Sequence, residues 1–65
     1  MKDTKWVIIR IGATGVKTRG GSIYNTYETA CMEQEILEVQ NPHTAFLIYT
    51  LEECEKEIAE GLIIR

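Results

Sequence analysis

Two short runs, Trp6-Val7-Ile8-Ile9-Arg10-Ile11 and Ala45-Phe46-Leu47-Ile48-Tyr49, constrain the fold most, because each places apolar residues on both of its alternating faces. Runs of this length rich in β-branched and aromatic side chains are too short for a helix and read as strands. In the first, Val7, Ile9 and Ile11 point one way and Trp6, Ile8 and Arg10 the other, so a sheet built from it needs cover on both sides. The second has the same two-faced character and is expected to lie centrally in that sheet.

The segments between the strands carry clear punctuation. Gly12-Ala13-Thr14-Gly15 is a turn, and Val16 to Tyr24 resumes an extended pattern in which Gly20-Gly21 marks either a bulge or a mobile excursion. Asn25-Thr26 opens a helix, with Glu28 placed three residues after Asn25 as in a capping box. That helix is expected to reach about Gln40, with Met32, Ile36 and Val39 along its core side, Leu37 and Ala30 extending that side, and Glu28, Glu35 and Glu38 on the opposite arc. Asn41-Pro42 ends it. Thr50-Leu51-Glu52-Glu53 is a second capping box, starting a helix whose Leu51, Cys54, Ile58 and Leu62 recur at spacings of three and four, with Gly61 placed to stop it. The order ββαβα predicts an α+β fold: a small, mainly antiparallel sheet with a layer of two helices packed on it.

At 65 residues the chain is a single domain, residues 1–65, and a core of that size rarely supplies more than about 3–5 kcal/mol. Such domains usually need a further constraint. A disulfide is not expected, since Cys31 and Cys54 both fall in helical segments and no export signal opens the chain. Nor is a metal, because Cys31, Cys54 and the single His43 lack any paired ligand spacing. Self-association remains. The chain ends Leu62-Ile63-Ile64-Arg65, apolar where termini are usually polar, so these residues either add a short strand to their own sheet or cross to a neighbouring subunit. A homo-oligomer is expected, a two-fold dimer being the commonest closed form. No apolar stretch approaches the ~18 residues of a membrane span, and a cytoplasmic location is expected.

Charge is divided along the chain. Up to Tyr27, Lys2, Lys5, Arg10, Lys17 and Arg19 stand against Asp3 alone, a balance of +4; from Glu28 onward nine glutamates stand against Lys56 and Arg65, a balance of −7. Such a dipolar chain can steer an anion to one side and a basic partner to the other, unless the halves neutralise each other within the fold.

Gly12 to Thr18 superficially suggests a phosphate-binding P-loop, but Val16 stands where that loop needs glycine and an extended segment follows instead of a helix. The GxxG of nucleic-acid-binding KH domains fails as well, because that loop joins helices and this one joins strands. A less specific signal survives: Lys17, Thr18, Arg19, Gly20, Gly21 and Ser22 bring two cations, two hydroxyls and two unhindered backbone segments together, a composition suited to an anion or phosphate. Arg10 can widen this patch, and Tyr24 and Tyr27 offer rings on which a base can stack. The competing reading is an edge strand whose Lys17 and Arg19 discourage aggregation. Catalysis has little support. His43 follows Pro42 in a turn with no serine or cysteine beside it, and Glu52, Glu53, Glu55, Glu57 and Glu60 crowd one short helix as a solvated face does.

The hairpin, the helix opening Tyr24-Asn25-Thr26-Tyr27-Glu28-Thr29-Ala30, then Asn41-Pro42 and the strand Phe46-Leu47-Ile48-Tyr49 together resemble short uncharacterised ββαβ proteins of bacteriophages and other mobile elements. The resemblance covers most of the chain and carries no catalytic residues. It implies a small stand-alone protein acting on host machinery, by blocking a protein or by sequestering a signalling nucleotide. Two functions are therefore expected in competition. One is a non-catalytic, cofactor-free homo-oligomer that captures a small anionic, nucleotide-type ligand through the residues named above. The other is an inhibitor that docks on a host protein through acidic helix faces. The net charge of −3 argues against nucleic acid as the partner.

Overall fold

The computed structural model describes residues 3–64. The chain runs β1 (Trp6–Ile11), β2 (Lys17–Tyr24), α1 (Tyr27–Gln40), β3 (Ala45–Thr50), α2 (Leu51–Ala59) and β4 (Ile63–Ile64). The four strands form one sheet in the order β3-β1-β2-β4. β1 pairs antiparallel with both of its neighbours, and β4 joins β2 in parallel. The fold is α+β as expected, but the sheet is mixed rather than mainly antiparallel, because the apolar end of the chain supplies a fourth strand to its own sheet. Burial drives that addition: Ile63 packs into one cluster with Val7, Ile9 and Cys54.

Two expectations about placement are corrected. β3 lies at an edge and β1 is central. Apolar residues on both faces of a strand report helices above and below it and say nothing about neighbours within the sheet. The helices, moreover, do not form one layer. Cys54 and Ile58 of α2 pack with Val7, Ile9 and Tyr49 on one face, whereas Leu37 of α1 shares the other face with Ile8, Arg10 and Phe46. The topology requires this. β2, β3 and β4 are parallel to one another, and α1 carries the chain across the sheet in one direction and α2 carries it back. Two right-handed crossovers running in opposite directions lie on opposite faces.

Local geometry follows the sequence closely at the turns and caps. The Gly15 amide donates to the Gly12 carbonyl, and Gly15 takes φ 82°, which a residue with a Cβ adopts only under strain. Thr50 and Glu53 form the reciprocal capping box of α2. The far end of α2 closes as a Schellman motif: Gly61 at φ 80° donates to Ile58, and Leu62 donates to Glu57. Leu62 is thereby swung off the helical stripe on which spacing had placed it, and it is exposed. At the start of α1 the cap is Thr26, whose hydroxyl accepts from the Thr29 amide, rather than Asn25 with Glu28. Asn25 instead accepts a hydrogen bond from Lys5.

The largest departure is the orientation of α1. Ala30 is its one fully buried residue, and Gln34 donates to the Phe46 carbonyl at 2.7 Å, so the arc through Ala30, Gln34 and Leu37 faces the sheet. Met32, Ile36 and Val39 point to solvent. The helix approaches through its smallest residue, which a ranking by hydrophobicity passes over.

Both cysteines are free, Cys31 half-buried and Cys54 fully buried. Burial pushes the Cys54 thiol above its ordinary value, partly offset by the Arg19 charge. A thiol reagent is expected to titrate Cys31 in the native protein and Cys54 only after unfolding. Rapid reaction of both thiols in the native state would contradict this packing.

Candidate functional site

Between Val7 and Ile9 of β1 there is one residue; between their partners Ile23 and Arg19 on β2 there are three, Gly20, Gly21 and Ser22. The glycine pair therefore forms the bulge that the sequence suggested. Gly20 approaches the central strand so closely that a Cβ on it would lie 3.0 Å from the Ile8 carbonyl oxygen. Two consecutive residues without side chains also leave the sheet bare beside α1. The result is a groove of about 330 Å³ between α1 and β2, within the lower part of the range of small-ligand sites.

Ile8, Leu37 and Phe46 make the apolar floor of this groove, and the backbone of Gly20, Gly21 and Ser22 makes one wall. Arg10 enters from β1, Tyr24 from the end of β2, Glu33 from α1 and Asn41 from the cap at its C-terminus. The Asn41 side-chain amide is held by the Leu37 carbonyl, which leaves its oxygen available to a ligand. Arg10 and Glu33 line the same groove, yet neither has a hydrogen-bond or ion-pair partner among the described residues. Such a site offers a cation, a carboxylate, a hydroxyl and an aromatic ring around an apolar floor.

Five of the nine residues nominated from sequence, Arg10, Gly20, Gly21, Ser22 and Tyr24, come together here. Thr18 pairs with Arg10 on the same face of the sheet but does not line the groove. Tyr27 sits at the start of α1, its ring edge-on to Trp6 with centroids 5.1 Å apart. A hydrogen bond with Cys31 holds the Tyr27 hydroxyl above the usual tyrosine range. Lys17 and Arg19 project from the opposite face, under α2. Glu33 and Asn41 are additions that the sequence did not single out, because nothing in helical periodicity distinguishes a glutamate facing a groove from one facing water.

Lys17 is committed to structure. Its ammonium donates to the Tyr49 hydroxyl at 3.0 Å and stands 3.6 Å from the Glu57 carboxylate, 5.6 Å from the centroid of the Tyr49 ring. Arg19 lies alongside, its Nε buried without a hydrogen-bond partner. The basic segment thus splits between two faces: its cations serve the α2 interface, and its glycines open the α1 groove.

These contacts make stability sensitive to alkali. The Tyr49 hydrogen bond, opposed in part by desolvation, holds Lys17 above the ordinary lysine value, and burial holds Cys54 above the ordinary thiol value. Both groups keep their protons to higher pH in the folded chain than in the unfolded one. Their stabilisation is present below the unfolded values and is lost as pH rises through the folded ones. Thermal melts are expected to be level through neutrality and to fall above about pH 9, with a shallower fall in Lys17→Met. A melting temperature independent of pH across the alkaline range would contradict it.

No known family model matches this chain, and no curated protein or solved structure matches it significantly. Among the described residues no cluster of His, Cys, Asp and Glu has metal-holding geometry, and no helix is long and apolar enough to cross a membrane.

Proposed function

We propose that the protein is a non-catalytic, homo-oligomeric binding protein that captures a small anionic ligand of nucleotide type in the α1–β2 groove. One observation carries this reading: residues of four elements line a single groove with an apolar floor, and among them stands an arginine with no partner among the described residues. Arg10 answers the ligand's negative charge, the unhindered Gly20-Gly21 backbone and Ser22 supply further polar contacts, and the Tyr24 ring lies beside the base. Lys17 and Arg19 support the sheet beneath α2 and do not touch the ligand.

Self-association suits the edge of β3, which lies across β1 from the glycine wall of the groove. Leu51 donates to the Lys5 carbonyl, so the odd-numbered residues of β3 bond inward to β1 and the even-numbered ones face outward. The Phe46 carbonyl is taken by Gln34 and the Thr50 amide by Glu53, leaving the Ile48 amide and carbonyl without partners among the described residues. That strand, Ala45–Thr50, carries no charge to discourage pairing. The role we propose for this capture is the withdrawal of a nucleotide signal from host defence, the context that the sequence resemblance to short phage and mobile-element proteins implies.

Calorimetric titration with a panel of mononucleotides tests the reading. Wild-type protein is expected to bind at least one of them, and Arg10→Ala to weaken that binding by about tenfold or more, the usual worth of a charge-assisted hydrogen bond. Lys17→Met is expected to leave it unchanged. Binding lost in Lys17→Met and retained in Arg10→Ala would move the site to the other face and overturn the proposal.

A further inference from the structure

Among the described residues nothing covers the outward side of α1. Met32, Ile36 and Val39 follow one another at spacings of four and three, so they form a single line along the helix, and they are 66%, 49% and 82% exposed. Ile36 and Val39, with Glu35 and Gln40, bound a shallow depression there. At about 100° per residue Glu28 and Glu35 run along one flank of the line, and Thr29 and Gln40 along the other. The helix holds Glu28, Glu33, Glu35 and Glu38 and no lysine or arginine.

Charge decides what this face can accept. Nucleic acids and anionic membranes carry the same sign as its flank and are repelled. A second copy fares little better, since two α1 helices packed antiparallel would set Glu28 and Glu35 against their own equivalents. Nor do the described residues offer a second copy a cationic surface: Lys5 is engaged by Asn25, Lys17 by Tyr49 and Glu57, Arg19 is half-buried, Arg10 lines the groove on the sheet, and Lys56, exposed on α2, stands at helical spacing from Glu52, Glu53 and Glu60.

We propose that the outward face of α1 docks an amphipathic helix of a partner protein. The partner's apolar ridge packs on Met32, Ile36 and Val39, and its flanking lysines or arginines meet Glu28 and Glu35. Apolar packing gives the contact its strength, and the glutamate flank sets orientation and speeds encounter. This surface lies on the side of α1 turned away from the sheet and stands independently of the groove.

The probe is a labelled synthetic peptide of leucine and lysine, about 18 residues long, with leucines at helical spacing. Its controls are a scrambled peptide of the same composition and a version with glutamate in place of lysine. Fluorescence anisotropy is expected to show binding of the patterned peptide alone. Ile36→Ser with Val39→Ser is expected to weaken it by about tenfold or more. Glu28→Gln with Glu35→Gln is expected to weaken it less and to flatten its dependence on salt. Arg10→Ala is expected to leave it unchanged, which separates this surface from the groove. All four α1 substitutions are at exposed positions, and circular dichroism checks each variant's fold; if the serine pair unfolds the chain, the glutamine pair carries the test. Equal binding of the scrambled peptide, undiminished binding by the folded serine variant, or no binding by wild type would overturn the proposal. So would sedimentation showing a wild-type dimer that the serine variant dissociates.

Discussion

Ile9→Ala is expected to leave the domain largely unfolded at room temperature. Ile9 has no exposed surface and is flanked by Arg19 of β2 and Leu47 of β3, in one cluster with Cys54 of α2 and Ile63 of β4. Truncating such a side chain costs about 2–5 kcal/mol, from lost burial and from the cavity left behind. A single core of this size supplies only about 3–5 kcal/mol, so one substitution removes most of the reserve. Leu47→Ala on the neighbouring strand is a matched control, because Leu47 is already 39% exposed and loses much less. Urea titrations followed by circular dichroism compare the two. A cooperative transition for Ile9→Ala close to that of wild type would mean that the two-sided sheet is not where stability resides.

Gly20→Ala and Gly21→Ala are expected to differ sharply although the residues are adjacent. A Cβ on Gly20 would meet the Ile8 carbonyl oxygen at 3.0 Å, and backbone of a central strand does not yield as a flexible side chain does. The bulge must shift instead, at about 1–3 kcal/mol, the usual cost of overpacking. Since Gly20 also forms the wall of the groove, ligand binding is expected to fall with stability. A Cβ on Gly21 meets nothing within 4 Å, so Gly21→Ala is expected to change stability by no more than about 0.5 kcal/mol. Thermal melts of the two variants test this. Equal destabilisation would place the close approach elsewhere in the bulge.

The sequence speaks most clearly where a signal is local and chemically specific. Gly15, Gly61 and the Thr50–Glu53 pair each occupy the position their chemistry demands, and β1 is covered on both faces as its composition requires. What the sequence leaves open depends on partners distant along the chain. Whether Ile63 would stay with its own sheet is a question about the edge of β2. Which side of α1 faces inward turns on the small Ala30 and the Gln34 hydrogen bond outweighing the more apolar line of Met32, Ile36 and Val39. The candidate site divides in the same way. Glycines open space wherever the fold places them, so Gly20 and Gly21 were legible. The faces taken by Lys17 and Arg19 became decisive only once α2 was known to lie over one of them.

Native mass spectrometry of protein purified from its producing cells, repeated after denaturation, tests ligand capture most directly. The predicted result is an oligomer carrying a nonprotein mass of a few hundred daltons, released on unfolding and absent from the Arg10→Ala variant. A bare chain that stays bare when mononucleotides are offered, or an adduct retained in full by Arg10→Ala, would contradict the account.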